Sequence, residues 1–552
     1  MLRSSLLFIL LCFLISCKEE PAVFSLPRIN IDNPKELLVV RDSTDFREFR
    51  VLDSRYLSNE ELWKDFNDDL EDFTQETHDK LKPLILEQDI PTIQSHIANG
   101  YLTYELLTKF YLYRIRKLDR ENELSLNSVI SLNPRVIEQA IAADNTRFVQ
   151  ASHPIFGMPI LLKDNINTVD MPTTAGAVAL YNNYAQDAFI TQQLKKNGAL
   201  ILGKTNLSEW AYFFCGDCPS GYSAIGGQTL NPYGRRTIDT GGSSSGSGVS
   251  VSANFCVAAV GSETSGSILS PSSANSIVGL KPTIGLLSRS GIVPISSTLD
   301  TPGPMTKNVI DNAILLSAMA FEDANDKKTV NKAPYEYQDY SKDLSKVHLK
   351  NKRFGVFKRL MNRDSSYVQA IAVLKKHGAK IIEVEEMEVD RSGFLSLLNL
   401  DMRSDLAVYL SKDADTVVGV SSVAEVIKFN NQDSINRAPY GQRLFKGIIN
   451  DKGTEQYLDS IKITMKSGSR SFFDVPYKKY DLDGFLSINN WHAGLAALAE
   501  YPALTVPMGY TKKGVPRGLT FIAKPLQEKH LLEWGYYYEQ ATNKRVAPPN
   551  YD

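Results

Sequence analysis

Short apolar runs alternate with amphipathic segments through much of this chain, and that alternation limits its fold more than any other feature. The runs MPILL (158–162) and LILGKT (200–205) are typical of buried strands, and AFITQQLKKNGA (188–199) between them is typical of a helix. The helix-to-strand pattern returns in YVQAIAVLKKHGAKIIEVE (367–385). Strands that alternate with helices predict an α/β protein with a largely buried sheet.

The segments around this alternating part extend the same domain. From Leu62 to about Asp144 the pattern is helical, with an amphipathic helix in LTYELLTKFYLYRIRKLD (102–119) and Thr103 as its N-cap. Late strands are predicted in DGFLSI, ALTVPMG and GLTFIAK, before a last helix, EKHLLEWGYYYEQAT.

No linker divides the chain. The Tyr340–Arg353 region and the polar stretch 430–479 are interpreted as surface insertions rather than linkers. A chain of 552 residues is long enough for a large core. Residues 61–552 are therefore interpreted as one large domain.

The N-terminus has the pattern of an export signal. In MLRSSLLFILLCFLISC (1–17), Arg3 precedes an apolar run that is too short to span a bilayer and has the length of a signal-peptide core. The end of this segment resembles the bacterial lipobox, which predicts a lipid on Cys17 and a lipoprotein anchored in the bacterial cell envelope, at the outer membrane. A plain secretory signal is the alternative. Residues 18–60 are interpreted as a tether with a peripheral element.

Charge and cysteine content exclude several classes of protein. A formal net charge of −2 gives no basic balance for nucleic acid. Cys215 and Cys218 form a lone C-x-x-C without the further ligands that zinc needs, and no helix signal follows them as in a thioredoxin. We interpret the pair as structural, and as a disulfide if the compartment is oxidising. No metal or cofactor is expected.

The stretch 237–273 carries twelve serines among many glycines, and two of them stand out together with a lysine. Lys163 ends an apolar strand, where desolvation favours the neutral amine, which is a base. Ser243 follows Gly241 and Gly242, and Ser267 lies in a glycine-broken turn whose backbone N–H groups can stabilise an oxyanion. The alternative is structural, because strand-end lysines often extend to water and Ser/Gly runs are often loops.

A second reading of the same stretch points to a different nucleophile. GSSSG (242–246) matches the G-x-S-x-G elbow of α/β-hydrolases and would nominate Ser244. That elbow follows a strand directly, whereas the preceding YGRRTIDTG is polar. Its histidine partner would be His492 or His530, and neither has a distinguishing context. A helix in GVSVSANFCVAAVG, after the elbow, is plausible.

Several long motifs resemble the amidase signature family, in the right order from about Ile93 to Pro548. They are GMPILLKDNI, TGGSSSGSGVSVSAN, GSETSGSILSPSSANSIVGLKPTIGLLSRSGIVPISSTLDTPGPM, EYPALTVPMG and GLTFIAKPLQEKHLLEWGYYYEQAT. Ser243 and Ser267 are 24 positions apart, which is also the spacing of that family. The resemblance implies a mixed central sheet with helices on both faces.

The resemblance also assigns roles to individual residues. It implies that Ser267 is the nucleophile, that Ser243 is a bridging serine entered through a cis peptide bond from Gly242, and that Lys163 is the base. The oxyanion hole would consist of the backbone N–H groups of Thr264, Ser265, Gly266 and Ser267. The chemistry would be hydrolysis of an amide through an acyl-enzyme, with no histidine, metal or cofactor.

The chain departs from the common family motif at two positions. The usual Asp-x-Gly-Gly-Ser-Ile-Arg is here ETSGSIL, with Ser265 for a glycine and Leu269 for the arginine. A branch similar to the bacterial peptide amidases carries Glu-Thr-Asp-Gly-Ser-Ile, so ETSGSI fits that branch with Ser for Asp. The resemblance therefore implies a small-molecule or peptide amide as the substrate. The products would be a carboxylate and either ammonia or an amine.

Three other functions remain open from the sequence. The glutaminase subunit of a tRNA amidotransferase belongs to the same family, but it works with cytoplasmic partners and the export signal argues against it. An inactive envelope lipoprotein that binds amide ligands is the second alternative. A histidine-dependent esterase that uses Ser244 is the third, and it would survive replacement of Lys163.

Overall fold

Eleven strands form the sheet on which the chain is built. The computed structural model describes residues 49–329 and 339–552. The predicted signal segment, the lipobox at Cys17 and most of the predicted tether lie outside the described residues. Thirteen strands occur in the described ranges: β1 Val129–Leu132, β2 Pro159–Lys163, β3 Leu200–Thr205, β4 Tyr222–Ser223, β5 Gly227–Gln228, β6 Ala258–Glu263, β7 Val278–Lys281, β8 Thr301–Thr306, β9 Arg353–Phe357, β10 Lys380–Val384, β11 Gly484–Ile488, β12 Ala503–Tyr510 and β13 Pro516–Ile522.

The order of the strands makes the sheet mixed. It runs β1-β3-β2-β6-β8-β7-β12-β13-β11-β9-β10, and β4 pairs with β5 in a separate hairpin. Strand β2 is parallel to both β3 and β6, and β9 is parallel to β10 and β11. The remaining neighbours in the large sheet are antiparallel.

Both faces of the central strands are covered. Every residue of β2, β3, β6, β7 and β8 is buried, although successive side chains point to opposite faces. The helices that cover the sheet, and those beyond it, are α1 Asn59–Trp63, α2 Gln75–Ile85, α3 Ile90–Ala98, α4 Tyr104–Leu118, α5 Val136–Gln150, α6 Phe189–Lys196, α7 Ser245–Ser252, α8 Leu269–Ala274, α9 Val309–Met319, α10 Lys358–Met361, α11 Ser365–Lys376, α12 Phe394–Lys412, α13 Val423–Asn431, α14 Ser434–Arg437, α15 Arg443–Asn450, α16 Glu455–Tyr480, α17 Ala493–Ala499 and α18 Glu528–Thr542. The expected α/β class, with a mixed sheet in a single domain, is confirmed.

Local sequence patterns predicted the positions of several helices and strands correctly. Helix α4 begins after Thr103, whose side chain accepts from the Leu106 N–H as an N-cap does. The late strands β11, β12 and β13 and the last helix lie where the sequence predicts them. The helical interpretation of Leu62–Asp144 is incomplete, because it contains the edge strand β1.

Two other sequence interpretations were wrong. The polar stretch 430–479 is no surface insertion: α14, α15 and most of α16 lie in it, and Phe445, Ile448 and Phe473 are buried there. With α12 and α13, helices α15 and α16 pack over an apolar cluster that also contains Trp210 and Phe214. The segment GVSVSANFCVAAVG is not one helix, because α7 ends at Ser252 and strand β6 begins at Ala258.

Within the described ranges, no helix combines the length and the apolar character needed to cross a bilayer.

Candidate active site

Polar side chains meet at one edge of the sheet, where two neighbouring parallel strands end. Lys163 is the last residue of β2, and Ser262 lies next to the end of β6. Because parallel strands end at the same edge, their terminal side chains lie close together. The Lys163 Nζ lies 2.9 Å from the Ser262 Oγ and 3.1 Å from the Ser262 carbonyl oxygen.

The third neighbour of the lysine is a serine from the glycine-rich loop. The Lys163 Nζ lies 2.8 Å from the Ser243 Oγ, and both side chains are fully buried. Burial lowers the pKa of Lys163 to about 7, although the carboxylates of Asp300 and Glu263 act in the opposite direction. Near neutral pH a large share of this amine is therefore unprotonated.

The backbone around Ser243 brings its hydroxyl to the lysine. Gly241 has a φ of +64°, which favours glycine, and the Gly242–Ser243 peptide bond is cis, as the resemblance implies. A Cβ on Gly241 would lie 2.7 Å from the backbone nitrogen of Pro271, so a side chain would not fit. The Ser243 carbonyl oxygen accepts from the Ser208 N–H at 3.0 Å, which anchors the loop.

Ser267 lies in a turn between β6 and α8, and we call residues 264–268 the Ser267 turn. The Glu263 carboxylate accepts from the N–H groups of Ile268 and Leu269 at 2.8 and 3.0 Å. Gly266 has a φ of +101°, so the turn needs a glycine there. The Ser267 carbonyl oxygen accepts from the Ser244 N–H at 3.2 Å, which joins the turn to the Ser243 loop.

The Ser267 hydroxyl differs from that of Ser243 in its surroundings. Ser267 is only partly buried, and its hydroxyl makes no hydrogen bond with the described residues. The backbone N–H groups of Ser265 and Ser267 likewise donate to none of the described groups. An accessible hydroxyl and unpaired donors thus lie within three residues of each other.

A second carboxylate supports the turn from the other side. Asp300 accepts from the Thr264 hydroxyl at 2.6 Å through one oxygen, and from the N–H groups of Ile295 and Ser296 at 2.8 Å each through the other. Its burial raises the pKa of Asp300 to about 6. This carboxylate lies next to a small cavity that Thr264 and Ser262 also line.

The alternative elbow has no histidine. The Ser244 Oγ donates to the Ser262 carbonyl oxygen at 3.0 Å and accepts from the Ser262 N–H at 3.2 Å. His492 is hydrogen bonded to Ser487, and His530 to Glu533. No strand precedes Ser244 directly, so neither condition of the elbow is met.

The Cys215–Cys218 pair forms a disulfide in the structure. Both cysteines are buried in the cluster beneath α12–α16. The Tyr212 hydroxyl donates to the Cys218 carbonyl oxygen at 3.0 Å. The structural interpretation of this pair therefore agrees with its surroundings.

Sequence reasoning missed two polar residues of the site. Ser262 contacts the lysine twice, and the Asn165 side-chain amide donates to its hydroxyl at 2.9 Å. The apolar run before Ser262 is strand β6, which the sequence analysis interpreted as part of a helix, so the position of Ser262 beside the end of β2 was missed. Asn165 belongs to an irregular turn, for which the sequence pattern carried no signal.

Comparison with known proteins identifies the family to which this chain belongs. The family model named Amidase matches residues 107–482. The chain belongs to the amidase family. A protein described as a probable amidase of Arabidopsis thaliana is 35% identical over 479 residues, which cover 84% of this chain and 92% of that protein.

Solved structures agree with this assignment. An amidase family protein from Bacillus anthracis has a TM-score of 0.86 and 36% identity, over 90% of this chain and 99% of that one. The native peptide amidase from Stenotrophomonas maltophilia has a TM-score of 0.78 and 36% identity, over 84% and 98% of the two chains. The resemblance to the amidase signature family and its peptide amidases is confirmed, and the chain is an amide-hydrolysing enzyme.

Proposed function

We propose that this amidase hydrolyses a carboxamide through a Ser267–Ser243–Lys163 relay and an acyl-enzyme. The observation that carries the proposal is the 2.8 Å contact between the Lys163 Nζ and the Ser243 Oγ in a fully buried setting. A neutral lysine has two N–H bonds and one lone pair. The two Ser262 oxygens can take the N–H bonds, which leaves the lone pair for the Ser243 hydroxyl proton.

The reaction then follows in balanced steps. The Ser243 proton moves to Lys163 as the Ser267 proton moves to Ser243, and the Ser267 oxygen forms a bond with the amide carbon. The C–N bond breaks while the relay returns a proton to the leaving nitrogen. A water molecule then cleaves the acyl ester, releases the carboxylate and restores the Ser267 hydroxyl.

Backbone donors in the Ser267 turn would stabilise the oxyanion. The N–H groups of Ser265 and Ser267 are without acceptors among the described residues, which makes them available to the developing charge. Thr264 belongs to the predicted set, whereas the Gly266 N–H is directed at the Glu263 carboxylate. The glycine at 266 permits the positive φ that the turn requires.

A peptide-like carboxamide is the substrate class that we propose, with ammonia as the leaving group. The supporting observations are the ETSGSI motif and the similarity to the peptide amidase from Stenotrophomonas maltophilia. The inactive-lipoprotein alternative would fit a chain that lacked one of the three residues of the relay, and all three are present.

Ammonia release tests the relay. The full-length protein in detergent would be assayed on C-terminally amidated peptides and on simple aliphatic and aryl amides. Lys163→Met and Ser267→Ala should lose activity on every substrate, while Ser244→Ala, a matched buried serine one residue from the relay, should retain it. Activity that survives Lys163→Met would contradict the proposal.

The lipid anchor is a separate proposal that rests on residues 1–17 alone. We expect the Cys17 thiol to carry lipid and to hold the enzyme at the outer membrane. Incorporation of labelled palmitate should be lost in Cys17→Ser and retained in Cys12→Ser. Equal labelling of both variants would contradict the assignment of the lipobox.

A further inference from the structure

A cavity of about 470 Å³ is lined by none of the relay residues. One wall is the loop 386–391, which follows β10, and the other is the segment 491–495 at the start of α17. Phe472 of α16 and Arg359 also line it. We call this space the 491 cavity.

Two residues next to the wall of the 491 cavity, Asn490 and Gly494, lie against the Ser267 turn. A Cβ on Gly266 would lie 2.9 Å from the Nδ2 of Asn490, so the backbone of the turn passes against the residue that precedes Trp491. A Cβ on Gly494 would lie 3.1 Å from the Ser265 Oγ and 3.8 Å from the Arg391 Nη1. Gly494 therefore lies close both to Ser265 of the predicted oxyanion hole and to Arg391 of the cavity.

That arginine is free to bind a ligand. Arg391 is exposed, and its guanidinium makes no hydrogen bond or ion pair with any residue that the structure describes. Arg359, on the same cavity, is by contrast paired with Glu386 at 3.0 Å. The exposed carboxylates of Glu388 and Asp390 lie on the same loop as Arg391 and offset its charge, which favours a neutral carbonyl over a second carboxylate as its acceptor.

The cavity also offers apolar surface. Trp491 is 44% exposed and Met387 is 43% exposed, although both are large apolar side chains. Leu495 lies beside them on the wall of the cavity. An aromatic side chain with a solvent-facing surface in a cavity is a typical anchor for a ligand's apolar group.

We propose that the 491 cavity binds the acyl side of the substrate and selects uncharged peptide amides with a large apolar side chain. Arg391 donates to a main-chain carbonyl, and Trp491 packs against the side chain next to the reacting amide. This inference rests on the proposed function, because it places the scissile carbonyl at the Ser267 turn. It names two specificity-determining residues outside the relay.

Binding and turnover together test the subsite. In the Ser267→Ala background, calorimetry with acetyl-Leu-Phe-amide should show a Kd that rises about tenfold on adding either Trp491→Ala or Arg391→Gln. In the Ser267 enzyme, kcat/KM for the same peptide should fall about tenfold while kcat/KM for propanamide stays within twofold. Acetyl-Leu-Asp-amide should be the poorer peptide substrate.

Matched controls keep the two proposals distinguishable. Tyr101→Ala and Arg363→Gln remove an exposed aromatic ring and an exposed arginine that do not line the cavity, and they should leave both readouts unchanged. An unchanged Kd in the Trp491 and Arg391 variants, or no binding of the peptide, would overturn the subsite. Binding that depends on both residues in an enzyme without turnover would instead overturn the relay and leave the subsite standing.

Discussion

Replacing Lys163 by methionine separates the chemistry of the amine from its packing. At a pKa of about 7, half of the Lys163 side chains are neutral at pH 7. An ordinary lysine would be neutral in only about one molecule in three thousand at that pH. Methionine replaces the apolar part of the side chain and lacks only the terminal base, so kcat/KM should fall by about 10²- to 10⁴-fold.

The pH profile of the unchanged enzyme follows from the same pKa. The neutral fraction falls from one half at pH 7 to about a tenth at pH 6, so kcat/KM should drop about fivefold between these values. Initial rates of ammonia release from one peptide amide, measured from pH 5.5 to 9, check this. A profile that is flat between pH 6 and 8 would refute the argument.

Stability gives an independent readout of the same group. Because the folded pKa of Lys163 lies below its unfolded value of 10.5, the unfolded chain binds more protons between pH 7 and 10. The unfolding free energy therefore decreases as the pH falls towards 7 and increases as the pH rises. The unfolding free energy of the enzyme should gain about 3.5 kcal/mol over Lys163→Met from pH 7 to 10. Lys307→Met is the control for the loss of activity in Lys163→Met. It removes another buried lysine outside the relay, so the enzyme should remain active.

Three further changes test other parts of the structure. Ser244→Ala removes both hydrogen bonds between its hydroxyl and Ser262 and should cost about 2 kcal/mol in chemical unfolding while activity is retained; loss of activity would support the Ser244 elbow instead. Thr103→Ala removes the N-cap of α4 and should also cost about 1 kcal/mol, against no change for an exposed mid-helix substitution. Replacing both Cys215 and Cys218 by serine opens a short loop and should lower the unfolding free energy by about 2 kcal/mol and the Tm by about 2 °C. An unchanged Tm would show that the disulfide adds nothing.

The sequence predicted the sheet better than the helical layer beyond it. Strands β2 and β3 begin with continuous apolar runs because both of their faces are buried, and such runs are easily recognised in a sequence. Helix α16 was missed because its sequence is polar on most of its surface, with Pro476 near its end. Its buried face is apparent only once α12 and α17 pack against it.

The active site was likewise predictable only in part. The proximity of Lys163 and Ser243 was expected from resemblance, whereas strand-end position alone identified only the lysine. The support from Ser262 and Asp300 depends on strands that are distant along the chain, and local patterns do not report such contacts. The left-handed backbone of Trp210 and Ala211 could not be predicted from the sequence either, since neither residue favours a positive φ.

Covalent labelling tests the central claim most directly. The full-length enzyme would be treated with a fluorophosphonate, which phosphonylates activated serines, and digested for peptide mapping by mass spectrometry. We predict one adduct, on Ser267, that is absent from Ser267→Ala and strongly slowed in Lys163→Met. An adduct on Ser244, or labelling of Ser267 at an unchanged rate without Lys163, would contradict the Ser267–Ser243–Lys163 relay.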